Sequence, residues 1–294
     1  MITIMSMTWK ELLRKRVMML TVLMTVVFLA AFWFVAKTIG TVNDGPATLG
    51  REGEMLLMSY GRGVMILSMG FFFASFVTAF LGIFSSFSAI SGEAEQGVLQ
   101  ALMPRPLPRW KWYIGRWLGY VTVGILYSLL LFTAILLITD AHASVPRDVG
   151  GIVRSFLLFA STIPLLVTVS MLGSSLFSAL GNGVFMTMLY GAGWLGGTID
   201  KVSGNIGLEE SVEQSLNNLS GLLSMLMPVD GLQRRMMAEL TNIRDMGRMA
   251  ITDDLMLGLF GLNHVPSNSF LLYALLYGAV IFLIGMFRFQ RKDL

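Results

Sequence analysis

Five stretches of this chain lack any Asp, Glu, Lys, Arg or His, and they limit its fold more than any other feature. They cover residues 17–36, 64–91, 117–139, 155–199 and 270–287. About 20 apolar residues wound as a helix cross the ~30 Å hydrocarbon layer of a bilayer, and the fourth stretch is long enough for two crossings. Of 294 residues, 55% are hydrophobic and 13% charged, whereas soluble globular chains carry about a quarter charged residues. The expectation is an all-α integral membrane protein with six transmembrane helices, a single transmembrane domain over residues 1–294. A soluble enzyme, a nucleic-acid-binding domain and a disordered tail are excluded together.

With no cysteine and only His142 and His264, disulfides, thiolate metal sites and cysteine nucleophiles are absent, and an all-protein histidine metal site is not expected. The 22 methionines suit soft-metal handling in principle. Without a tight Met-x-x-Met cluster, they read as filler of irregular apolar packing.

Along the chain, Thr8 and Glu11 have capping-box spacing. They predict an interfacial amphipathic helix over 6–16, with Trp9, Leu12, Leu13 and Arg16 on one side and Lys10, Arg14 and Lys15 as a basic flank. The first span, 17–36, is too long for a secretory signal core. Asn43-Asp44-Gly45-Pro46 opens an external loop. The second span, 64–90, is rich in phenylalanine: Phe71, Phe72, Phe73, Phe76, Phe80, Phe84 and Phe87. The third is 117–139 and the fourth 155–180. Gly181-Asn182-Gly183 is read as a tight turn before a short fifth span, 184–199, and 270–287 is the sixth.

Charge sets the orientation. With the N-terminus inside, six spans return the C-terminus inside. The inner segments then hold eleven of the 21 basic residues and four of the 18 acidic ones, over about a third of the loop length. The excess agrees with the positive-inside rule, whereas five spans would leave the basic tail outside. A multi-pass protein of the inner or plasma membrane, both termini cytoplasmic, is expected.

Residues 200–269 then form an external segment. Val212, Leu216, Leu219, Leu222, Leu223 and Leu226 repeat at helical spacing. Pro228 interrupts, and Asp230 with Gln233 is expected to cap a second helix reaching about Arg248. A small packed cap without a role of its own fits this segment as well.

The spans offer little chemistry. Ionisable groups inside a bilayer mark proton relays, ion sites or voltage sensors, and these spans hold no acidic or basic side chain. Ser174 and Ser175 follow Gly173, but no histidine lies in any span to activate them. Ser170, Ser174 and Ser178, like Gly193 and Gly197, read as small-residue packing faces. No G-x-x-x-x-G-K-[ST] phosphate loop occurs. If the protein moves something, a separate subunit supplies the nucleotide chemistry and docks on a cytoplasmic handle. The loop 91–116 is the candidate: Gly92-Glu93-Ala94-Glu95-Gln96-Gly97-Val98-Leu99 opens a short helix with Val98, Leu99 and Leu102 on one side. Pro104, Pro106 and Pro108 end it, and Trp110, Trp112 and Tyr113 suit the interface where the third span starts.

These residues resemble the membrane subunits of type-2 ABC transporters, also called type V ABC exporters. That family's pattern is Gly-Glu-x-Glu-x-Gly-Thr-Leu, a Pro-[Ile/Leu]-x-Arg step, then Gly-Lys at the next span. Gly92, Glu93, Glu95, Gly97, Leu99, Pro106, Leu107, Arg109, Gly115 and Arg116 fit that order. Val98 stands for the usual Thr and Arg116 for the usual Lys. Trp9-Lys10-Glu11, Pro228-Val229-Asp230 and the ending Lys292-Asp293-Leu294 are similar to the family too.

The resemblance implies a non-catalytic permease subunit of an ATP-driven exporter. It would pair with a second permease subunit, preferably an identical copy, and with separate ABC ATPase subunits. The chain itself would bind no cofactor or metal, ATP and Mg residing in the ATPase. It also implies ATPase coupling through Glu93, Glu95, Gly97, Leu99, Leu102, Pro106 and Arg109, beside an interfacial helix carrying Trp9, Lys10, Glu11 and Arg14. Phe72, Phe76 and Phe80 are weaker candidates for a substrate path, lipid-facing or interhelical packing being the plainer reading. Substrates in the family are often lipid-linked glycans, drugs, peptides or other amphiphiles. Two alternatives stay open: a non-transporting scaffold or sensor recruiting a cytoplasmic partner, and a permease assisting nitrous oxide reductase maturation, which Pro228-Val229-Asp230 followed by Arg234 resembles.

Overall fold

The computed structural model describes residues 1–41, 52–95, 97, 108–143, 145, 148–203, 210–241 and 265–291. Among them every element is a helix: α1 (Ile2–Arg14), α2 (Arg16–Gly40), α3 (Glu52–Ser86), α4 (Ser91–Glu95), α5 (Arg109–Asp140), α6 (Val149–Leu176), α7 (Ala179–Ser203), α8 (Glu210–Leu226), α9 (Val229–Leu240) and α10 (Asn268–Arg291). Five helical segments among the described residues are long and apolar enough to cross a membrane: Arg16–Gly40, Ser59–Glu95, Arg109–Asp140, Val149–Leu176 and Asn268–Arg291. The expected fifth span falls on α7, which has 25 residues but is not among these. Gly181, Gly183, Gly191, Gly193, Gly196 and Gly197 dilute its apolar character.

Helix α6 is the central post. Its apolar window is 67% buried, as is that of α3, whereas those of α2 and α10 are 17% and 11% buried. Around it lie three packed clusters. One, at the end of α3 that carries Ile66 and Phe71, joins Phe32, Leu131, Phe132, Ile135, Phe159 and Met236. A second, at the opposite end, joins Leu12, Ile90, Trp112, Tyr113, Met171 and Phe289. A third joins Ile83, Leu166, Met186, Met227, Leu232 and Ala274.

A hydroxyl in hydrocarbon needs a partner, and most of these turn back on their own helices. Thr21 donates to the Val17 carbonyl at 2.9 Å, Ser128 to Gly124 at 2.9 Å and Thr139 to Ile135 at 2.8 Å. The Thr25 and Tyr127 hydroxyls meet at 2.5 Å and tie α2 to α5. Asp148 caps α6, accepting from the Gly150 and Gly151 amides at 3.1 and 2.8 Å.

Several local expectations change. The first helix starts at Ile2, not at Thr8. Thr8 is internal and buried, donating to the Ile4 carbonyl at 2.9 Å. The inward face is Thr8 and Leu12, with Leu13 62% exposed, because α1 lies along Gly115 and Gly119 of α5, which leave room for Ile4 and Thr8. The turn expected at 181–183 sits earlier, at Phe177, whose backbone is extended (φ −113°, ψ 162°), and Gly181, Asn182 and Gly183 are helical. Asp230 does not cap α9. Pro228 occupies that position, and Asp230 pairs with Arg234 at 3.0 Å. The expected continuation to Arg248 lies outside the described residues.

Candidate functional site

The cytoplasmic handle expected at 91–116 is anchored on four other elements. Helix α3 ends at Ser86 and the chain turns at 87–90 into α4. The turn is clamped from α6: the Ser174 hydroxyl oxygen accepts from the Ile90 and Ser91 amides at 2.9 and 3.0 Å. From α7, the fully buried Asn182 amide donates to the Phe87 carbonyl at 2.7 Å and the Ser170 carbonyl at 2.8 Å. Ser174 is thus a structural acceptor and Ser170 is buried with it, whereas Ser178 lies past the end of α6 and is exposed, so the three serines do not share one packing face. Beyond α4, Gly97 has φ +70°, a left-handed conformation in which a β-carbon is strained and glycine is not.

Arg116 on α5 is the centre of the arrangement. Only 7% exposed, it forms ion pairs with Glu93 of α4 and Glu11 of α1. Its guanidinium lies 5.4 Å from the Trp112 ring centroid and 6.0 Å from that of Tyr120. Glu11 also pairs with Lys15 at 2.8 Å. Burial pushes the Glu11 carboxyl up, but the Arg116 charge and the hydrogen bonds from Lys15 and Arg116 outweigh burial and hold it below its ordinary 4.5. A buried charge needs such partners, since desolvation penalises it heavily.

Helix α1 reaches this centre because Gly115 and Gly119 leave room. A β-carbon at Gly119 would stand 2.6 Å from the Thr8 β-carbon, and one at Gly115 would stand 2.9 Å from that of Ile4. Trp9 then donates its indole N–H to the Thr122 hydroxyl at 2.8 Å. Lys10 and Arg14 lie on the exposed side of α1.

The remaining expected coupling residues divide. Glu93 is turned inward, its side chain 13% exposed. Glu95 accepts from the Ala179 amide at 3.1 Å, a carboxylate at the first residue of α7. Arg109 donates to the Gln290 carbonyl at 3.0 Å, tying α5 to the end of α10, where Phe289 stacks on Trp112 at 5.0 Å. Leu99, Leu102 and Pro106 lie outside the described residues.

Phe72, Phe76 and Phe80 are half-buried on one stripe of α3. Phe76 is 5.3 Å from Phe72 and, across to α7, 5.7 Å from Trp194 and 6.1 Å from Tyr190. Phe80 is 4.7 Å from Phe84. Interhelical packing of α3 on α7 is therefore real, and a minor part of each side chain remains on the surface of the single chain.

A second ionic group, at the other end of α3, has no counterpart in the sequence reading. Buried Arg234 pairs with Asp200 of α7 and with Asp230. Arg235 pairs with Glu239 at 2.8 Å and donates to the Pro266 carbonyl and the Asn268 side-chain oxygen at 3.0 Å each. The i, i+4 spacings Asp230–Arg234 and Arg235–Glu239 were the available signal.

No curated protein matches this chain. The family model described as ABC-2 family transporter protein matches residues 5–294. The chain therefore belongs to the ABC-2 transporter family and is a membrane permease of an ABC transporter, the non-catalytic membrane component of such a system.

Proposed function

We propose that the chain is the permease of an ATP-driven exporter, working as a pair of identical copies on separate ATPase subunits that carry the ATP and Mg. In this reading α7 makes the fifth of six crossings, both termini are cytoplasmic, and α8 and α9 lie at the outer side. The carrying observation is the ionic centre on Arg116, which joins the N-terminal helix, the start of the handle and the long helix α5 in one buried group. A push on the handle is carried into the bundle through Arg116 and Glu93, and through Glu95 to the start of α7. Glu93 and Glu95 are thus positioning residues. The ATPase contact itself falls on the stretch after Gly97, with Leu99, Leu102 and Pro106.

The aromatic stripe of Phe72, Phe76 and Phe80, with Tyr190 and Trp194, lines the path between the two copies and suits an amphiphilic substrate. Each of the five side chains keeps part of its surface exposed in the single chain, and aromatic residues are enriched where two subunits meet.

The test is co-purification and ATP turnover. Leu99→Asp with Glu93→Arg is expected to abolish association with the ATPase while the chain still inserts in the membrane. Unchanged association would remove the assignment. Substrate-stimulated ATP hydrolysis by the reconstituted complex separates an exporter from a scaffold, which shows none.

A further inference from the structure

A half-open cavity of about 610 Å³ lies between α5, α6, α9 and α10, lined neither by the aromatic stripe nor by the ion-paired residues of the Arg116 centre. Its wall on α10 runs from Leu271 to Leu283, a rise of about 18 Å at 1.5 Å per residue. That is close to the ~15 Å depth of hydrocarbon in one leaflet, half the ~30 Å of the whole layer. We infer that this cavity is a binding site for one hydrocarbon chain of a membrane lipid.

Local sequence creates the space. Ala274, Gly278 and Ala279 give α10 a shallow face, and a β-carbon added at Gly278 would meet nothing within 4 Å. Opposite, Pro164 interrupts the hydrogen-bond ladder of α6. Leu232 of α9 lies against one part of the wall. Trp117 and Phe282, in edge contact at 5.0 Å, form another part.

The chemistry of the lining selects the ligand. The Trp117 indole N–H is already given to the Thr168 hydroxyl at 2.8 Å. That hydroxyl donates to the Pro164 carbonyl at 2.5 Å, and Ser161 donates to Leu158 at 2.7 Å. The polar groups are satisfied, so the space offers water and polar ligands little. A dry cavity of about 150 Å³ lined by Leu, Ile and Phe already takes up benzene, and this one is about four times larger. Helix α10 is the least buried of the candidate spans, so the surrounding bilayer supplies the chain directly.

The site does not depend on coupling to an ATPase, so its test is read without nucleotide. The full chain is placed in vesicles of phosphatidylcholine carrying a photoactivatable diazirine in one acyl chain. Labelled peptides are mapped by mass spectrometry. Residues 271–283 and 158–168 are expected to label well above the bilayer-facing positions Val22, Leu23, Val26 and Val27 of α2. Gly278→Phe, which fills the cavity, is expected to abolish the excess and leave α2 labelling unchanged. Ala274→Leu serves as the second, smaller filling. Quenching of Trp117 by phosphatidylcholine with brominated chains should fall in both variants. Labelling of the cavity wall equal to that of α2, or an excess that survives both fillings, overturns the site.

Discussion

The guanidinium of Arg116 and the carboxylate of Glu93 form an ion pair in which both side chains are nearly removed from solvent, at 8% and 13% exposure. Glu11 joins the same guanidinium from α1. One arginine thus fixes the relative placement of the N-terminal helix, the short helix α4 and the start of α5.

Arg116→Met should leave Glu93 a buried charge without its partner. Breaking a buried pair on one side costs about 3–5 kcal/mol, and the lower end is expected because Glu11, at 38% exposure, relaxes toward water. The measurement is thermal unfolding in detergent together with ATPase co-purification. Adding Glu93→Gln should recover part of the loss, and a double-mutant cycle isolates the pair. Additive effects would show that the pair carries no coupling.

Ser174→Ala removes the acceptor of two buried amides. An unsatisfied buried group costs about 1–3 kcal/mol, so the variant should melt earlier and expose the turn at 87–91 to proteolysis. Serine-directed covalent probes are expected to leave the wild-type Ser174 unmodified, because no histidine lies in the spans to activate it.

Gly119→Leu should displace α1, since even the first side-chain carbon would stand 2.6 Å from Thr8. Overpacking of this kind costs about 1–3 kcal/mol. Faster tryptic cleavage at Arg14 and Lys15 reports the release. Gly61→Leu, where a β-carbon meets nothing within 4 Å, should leave that cleavage unchanged.

Protonation of Glu11 gives a pH dependence of definite sign. Its carboxyl is held below its ordinary 4.5 in the folded chain. The stabilisation is therefore fully present above about pH 4.5 and is lost as pH falls through the lower folded value. Tryptic cleavage is inactive there, so α1 release is followed by acid-tolerant pepsin or by hydrogen exchange. Glu11→Gln, which imitates the protonated carboxyl, should release α1 more readily at neutral pH and flatten this acid limb.

Much of the architecture is legible in the chain itself. Excluding a charge from hydrocarbon is a per-residue cost that accumulates along a segment, so five spans stand out as charge-free runs without knowledge of any neighbour. The handle shows in the same way, as a polar, proline-punctuated break between two such runs. The rotation of each helix about its axis does not show. A membrane helix is apolar on all sides, and the periodicity that points a soluble helix at its core is absent. Which face of α1 meets α5, why Ser174 and Asn182 are needed at the turn, and that Arg116 rather than bulk solvent receives Glu93 are decided by contacts between residues far apart in sequence. These depend on helix crossings and on where glycine lets backbones approach. The tertiary structure alone settles them, because only it brings the charges, the amides and the empty space beside Gly278 to their places.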